Sequence, residues 1–302
     1  MATPLSAMAA VPAQMPVGSR LSALAPQQTQ QPQGNPAGDA LAERSRIDYP
    51  GLVREYQQIK GTDQGRTLNT DLARELSPEY RADRTKAPEV HEASSALTKR
   101  MYEEKMDQPT PEGRHPSVIF TAGGAGSGKS TGLEMAKAKS KDAQNAEVIY
   151  DTNMAEFGPA DKKIRQALDK GREVHLIYTH RDPVDALSNG ALSRAQRMED
   201  DTGSGRTLKL SKFLETHMGA RRTIEQLAAK YGDQAKVRFK FIDNSRGRGR
   251  AIETTISKLP KLKENEVRKG LNDALESARK SGTISAAIHR GFANDSSGAS
   301  AK

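Results

Sequence analysis

The sequence predicts an α/β protein, a mainly parallel sheet with helices on both faces, led by a polar leader and followed by a helical tail. Three observations carry this. An apolar run, Ser117 to Ala122, passes through a glycine-rich loop into a helix start at Thr131 to Lys137. Further apolar runs of strand length, at 146–152, 173–179 and 236–243, alternate with segments of helical periodicity, as β–α units of a parallel sheet do. These runs end in polar residues, Asp151, Thr179 and Asp243, and such a sheet gathers the C-terminal ends of its strands on the edge where ligands bind.

The elements follow in order. Residues 1–46 are rich in Ala, Pro and Gln, their apolar residues are interrupted by Pro4, Pro12 and Pro16, and they read as a disordered leader. From 47 to 115 comes an upstream segment: a short helix over Leu52–Ile59, a short strand over Arg66–Asp71, an N-cap and N1 pair at Ser77-Pro78, and a helix over Val90–Met106. The core, 116–250, holds the glycine loop, the strand ending at Asp151, a helix through Ile164 and Leu168, and the strand ending at Thr179. Asp182-Pro183 opens the next helix, and Glu199 to Arg206 has the composition of a mobile loop. Leu210 to Lys230 is a long helix with Phe213, Ala220, Ile224 and Leu227 on one stripe, and Lys236 to Asp243 is a strand near a sheet edge. The extension 251–302 reads as amphipathic helices broken at Pro260 and Gly282, packed on the sheet by default, with a frayed end.

Composition narrows the function classes. With no Cys among 302 residues, a disulfide scaffold and a Cys-based metal site are excluded. The chain carries a net charge of +9, yet the basic residues are diffuse and aromatics are only 4%, which argues against a nucleic-acid platform built on base stacking. No run approaches the length of a membrane span and the N-terminus lacks the pattern of a secretory signal, so a soluble cytoplasmic protein is expected, with export as an effector left open.

The glycine loop carries the chemistry. Gly123, Gly124, Ala125, Gly126, Ser127, Gly128, Lys129 and Ser130 match G-x-x-x-x-G-K-S, the P-loop spacing. Glycines let successive backbone N–H groups converge on phosphate oxygens, and the helix N-terminus adds partial positive charge. Lys129 then reaches the β- and γ-phosphates, Ser130 offers a hydroxyl to Mg²⁺, and Thr131 stands beside it, so ATP and Mg²⁺ are the expected ligands.

With these motifs in place, the chain resembles the zeta-toxin-like P-loop kinases, over about residues 66 to 247 and in a different order. That family carries its catalytic Asp strand after the P-loop. Here the piece resembling it, Leu68 to Arg81 followed by Val90 to Arg100, lies upstream, and its strand would dock beside the Tyr150 strand. The resemblance implies Asp71 as general base and Glu92 as substrate-holding acid. It implies Arg194 and Arg206 as phosphate-clamping arginines, with a lid between them. Asn244 and Arg246 fall in the adenine-side loop. Asp151 is the rival to Asp71, as base, as Mg²⁺ ligand with Ser130, or as a substrate contact with Thr152. Plainer readings stand beside these: Asp71 as a helix N-cap, Arg194 as part of a solvated helix face, Arg206 as a loop charge, and His217 as a packed, hydrogen-bonded histidine.

The function this implies is transfer of the γ-phosphoryl group of ATP to a hydroxyl of a nucleotide sugar or similar small acceptor, in a toxin or effector. An antitoxin partner would be a separate chain. Two alternatives remain open: an ATPase acting on nucleic acid or an assembly, favoured by the basic loop Arg246 to Arg250, and a non-catalytic nucleotide-binding scaffold.

Overall fold

Alternation of apolar residues along the central strands decides the architecture. In the computed structural model, which describes residues 35–247 and 249–293, Val118 and Phe120 face one side of the sheet and Ile119 the other. The elements are α1 (Pro36–Ile47), α2 (Tyr49–Gln58), β1 (Thr67–Asn69), α3 (Thr70–Ala73), α4 (Pro78–Ala82), α5 (His91–Asp107), β2 (His115–Ala122), α6 (Lys129–Lys139), α7 (Lys141–Asn145), β3 (Ala146–Asp151), α8 (Phe157–Asp169), β4 (Glu173–His180), α9 (Pro183–Ala186), a π-helical stretch Leu187–Leu192, α10 (Ser193–Thr202), α11 (Leu210–Tyr231), β5 (Val237–Asp243), β6 (Ile252–Thr254), α12 (Glu264–Lys280) and α13 (Ala286–Phe292).

The sheet runs β1-β3-β2-β4-β5-β6. The first five strands are parallel and β6 is antiparallel to β5. β1 pairs with β3 in the register Thr67 to Ile149, Leu68 to Tyr150 and Asn69 to Asp151. The upstream segment therefore docks where the sequence expects it, beside the Tyr150 strand. On one face Leu68, Phe120 and Tyr150 pack against α2, α5 and α8, with the Tyr102 ring edge-on to Tyr150 at 5.3 Å. On the other, Ile119, Ile149, Ile177 and Ile242 meet Leu133 and Ala136 of α6.

Several expectations change. The leader ends earlier than residue 46: Asn35 caps α1, accepting from the Gly38 amide, with Pro36 at the first helical position, and residues 1–34 lie outside the described part. The strand over Arg66–Asp71 stops at Asn69, and Asp71 sits on the first turn of α3, whose N-cap is Asn69 and not Asp71. The helix from Pro183 widens into π-helical turns at Leu187–Leu192 before α10, and the polar stretch after Glu199 stays helical to Thr202, where Gly203 ends it with φ +79°. The C-terminal extension opens with a strand, β6, and its helices do not lie on the sheet. Val267, Leu271, Leu275, Ile284, Ile288 and Phe292 join a separate core with Leu187, Leu192, Ala195, Leu210 and Phe213. Its end, 294–302, lies outside the described residues.

Candidate active site

The P-loop leaves β2 at Ala122 and enters α6 at Lys129. Gly128 lies at φ +86°, and a Cβ there would fall 2.2 Å from the Asn244 amide nitrogen, so this position requires glycine twice over. Asn244 donates to the Ser127 carbonyl at 2.9 Å, and Arg181, paired with Asp185 at 2.5 Å, donates to the Gly126 carbonyl at 3.2 Å. α11 holds the tip of the loop. Thr216 Oγ1 accepts from the Ala125 amide at 3.1 Å, and His217 Nε2 meets the Ala125 carbonyl at 2.9 Å. Burial holds the His217 pKa down at about 4, against the pull of that carbonyl. The ring is neutral near pH 7, and it must carry its proton on Nε2 to donate.

Two buried hydroxyls beside the loop, Ser127 Oγ and Thr179 Oγ1, have no hydrogen-bond partner. Orphaned donors at a glycine-lined helix N-terminus suit phosphate oxygens. Lys129 Nζ donates to Asn153 Oδ1 at 2.8 Å, and Ser130 and Thr131 are exposed on the first turn of α6.

Asp71 lies within electrostatic reach of Lys129. Its Oδ2 meets Arg206 at 2.7 Å and its Oδ1 meets Arg74 at 3.3 Å, with 46% of the side-chain surface exposed. Burial would raise its pKa, but Arg206, Arg74 and Lys129 outweigh that and hold it well below the usual carboxylate range. Arg74 and Arg194 are both pushed down, first by burial and then by the nearby Arg206 guanidinium. That crowding of positive charge favours a polyanionic ligand. A cleft of about 400 Å³ opens here, lined by Glu75, Arg84, Arg194, Arg197, Met198, Asp201 and Thr202. Arg84 ties its two sides together, with its guanidinium on Glu75 at 2.5 Å and its amide donating to Ser204 Oγ at 2.8 Å.

The model of the Zeta toxin family matches residues 102–159 and 143–251, which take in the P-loop, Arg194, Arg206 and Asn244. Over these residues, just under half of the chain, the protein is zeta-toxin-like. A solved structure from the PezAT chromosomal toxin–antitoxin system of Streptococcus pneumoniae is similar over 63% of this chain and 94% of its own, at 11% identity and a TM-score of 0.34. No curated protein matches. The matched residues begin at 102, so β1 and Asp71 fall outside them.

In this zeta-toxin-like chain, the sequence-derived candidates fall into two groups. Asp71 lies within electrostatic reach of Lys129, Arg194 and Arg206, and Arg194 also lines the cleft. The P-loop residues and Asn244 adjoin Lys129, whereas Glu92, Asp151 and Arg246 are engaged or exposed elsewhere. Glu92 is exposed on the first turn of α5. Asp151 is engaged on both oxygens, accepting from Thr121 Oγ1 at 2.5 Å and from the Asn69 amide at 2.6 Å, and the Thr152 amide donates to the same Thr121 hydroxyl at 3.1 Å. Arg246 lies 3.8 Å from Asp243 with 60% of its side chain exposed. Among the described residues no group of three or more His, Asp or Glu forms a metal cluster. Residues absent from the sequence-derived set are Arg74, Arg84, Arg181 and Thr216. Only Arg74 carried a local signal, its spacing of three from Asp71 on a helix.

Proposed function

We propose that this chain is an ATP-dependent kinase that moves the γ-phosphoryl group to a hydroxyl of a nucleotide sugar or nucleotide-like metabolite, and that this is its toxic activity. The observation that carries the reading is an ionised carboxylate, Asp71, paired with Arg206 and within electrostatic reach of the P-loop Lys129 and of Arg194. Transfer through a loose transition state needs alignment and charge neutralisation more than strong basicity. In this reading the P-loop amides and Lys129 hold the donor phosphates, and the Ser127 and Thr179 hydroxyls supply further donors. Arg206 leaves Asp71 for the transferring group when nucleotide and acceptor enter. Asp71 then accepts the acceptor's hydroxyl proton, and Arg194 steadies the developing charge. A Mg²⁺ ion would be held by Ser130 and phosphate oxygens and would neutralise charge between the β- and γ-phosphates.

The acceptor cleft, with Arg84, Arg194 and Arg197 on its walls, suits an acceptor that carries its own phosphates. Glu92, Thr152, Asn244 and Arg246 are secondary candidates for substrate and adenine contacts. We read residues 35–293 as one kinase unit in which the C-terminal helices belong to the lid, and an antitoxin as a separate partner chain. Among the described residues no helix is long and apolar enough to cross a membrane.

The test is incubation of the purified protein with ATP–Mg²⁺ and a panel of nucleoside-diphosphate sugars, read by mass spectrometry. A phosphorylated sugar nucleotide, lost in Lys129→Ala, is expected. ATP hydrolysis stimulated only by nucleic acid would overturn the reading, and so would nucleotide binding without turnover.

A further inference from the structure

The residue that presents Asp71 is Asn69, and its side chain is engaged at both ends. Its Oδ1 accepts from the amides of Asp71 at 2.6 Å and Leu72 at 3.3 Å, capping α3. Its Nδ2 donates to Asp151 Oδ2 at 2.6 Å. The orientation of the amide group is fixed by chemistry: a carboxylate can only accept and a backbone N–H can only donate, so the reversed amide would lose every one of these bonds. Asp151 in turn accepts, on its other oxygen, from Thr121 at 2.5 Å, one residue before the end of β2 and two before the P-loop begins. A polar chain therefore crosses the C-terminal ends of three neighbouring strands, from Thr121 on β2 through Asp151 on β3 to Asn69 on β1, and ends at the backbone of Asp71.

We propose that Asn69 is a positioning residue for Asp71, and that Asp151 serves as its anchor and not as base or metal ligand. β1 has only three residues and leads into a helix of four, so ladder bonds alone hold this segment weakly. The side-chain bridge supplies what a longer strand would otherwise give: a fixed distance between the base and the loop that holds the donor phosphates. A displacement of about 1 Å at such a point costs roughly 100-fold in rate. The proposal rests on the kinase reading for its catalytic consequence, while the bridge itself can be tested without activity.

The pair allows an exchange experiment. Asn69→Asp keeps an acceptor for the helix cap but sets a second carboxylate against Asp151. Adding Asp151→Asn restores the bond with its direction reversed, the new amide donating to the new carboxylate and its carbonyl still accepting from Thr121. Two quantities are read on the full chain: hydrogen exchange at the amides of Asp71 and Leu72, and kcat and KM with ATP–Mg²⁺ and the nucleoside-diphosphate sugar panel. In Asn69→Asp the two amides should exchange faster and kcat should fall roughly 100-fold, with KM for ATP changed less than about threefold. The double variant should regain most of both. Unchanged exchange in Asn69→Asp would overturn the bridge, and so would a double variant no better than the single one. A loss seen only in KM would overturn the positioning role. A wild-type protein that transfers nothing while the exchange pattern holds would refute the kinase reading and leave the bridge standing.

Discussion

His217 and Gly124 show how tightly single residues set the P-loop. A Cβ on Gly124 would lie 2.2 Å from the His217 ring, which is itself bonded to the Ala125 carbonyl. Gly124→Ala should therefore destabilise the fold by about 1–3 kcal/mol through overpacking and weaken nucleotide binding. His217→Ala on the same background should recover part of the stability, a coupling that denaturant titration of the four proteins in the cycle measures. The same histidine makes a pH prediction. Its folded pKa of about 4 lies below the ordinary value of 6.5, so the unfolded chain binds the proton more readily, and stability falls as pH drops from 6.5 towards 4. At pH 5 this one residue should account for a loss of about 2 kcal/mol, and His217→Gln should flatten the profile. His91, His175 and His180, also lowered by burial, contribute with the same sign. The P-loop itself was legible because its spacing is local. The clasp from α11 was not, because Thr216 and His217 stand more than 90 residues from the Ala125 groups they bind.

At the scale of elements, α10 and the loop that follows it are held by packing. α10 carries Arg194, and the chain turns at Gly203 to bring Arg206 back over Asp71. α12 and α13 support it from behind. The Ser285 amide donates to Gln196 at 2.7 Å, and a Cβ on Gly205 would lie 2.3 Å from Ile288. Ile288→Ala should cost about 2–5 kcal/mol of stability. It should also loosen Arg206, lowering transfer more than ATP binding, and parallel thermal melts and kinetics would show it. The sequence exposed the amphipathic stripes of these helices but not their partner, since a stripe states that a face is buried and not against what. The same limit explains the missed start of α1. Asn35-Pro36 is a local cap signal, but it follows a polar tract, and what stabilises that helix is distant: Leu41 is buried in the core, and Arg44 donates to the Leu76 carbonyl.

Across the whole molecule, the order of the chain and the order of the sheet diverge. β1 precedes β2 in sequence yet lies outside β3 in the sheet, so Asp71, a carboxylate within electrostatic reach of Lys129, comes from before the P-loop. That much was readable only through the family resemblance, which placed the Asp71 segment beside the Tyr150 strand, since Arg66 to Thr70 holds a single apolar residue, Leu68. The termination of β1 at Asn69, and the resulting bridge, depended on side-chain geometry that spacing does not encode. The claim that unites site and fold is that the upstream segment completes the donor site. Single-turnover transfer from γ-labelled ATP, compared between the wild type and Asp71→Asn with nucleotide affinity measured alongside, tests it most directly. The account predicts a loss of roughly 10²–10⁴-fold in transfer, with ATP bound within a few-fold of the wild type. Transfer at the wild-type rate in Asp71→Asn would contradict it.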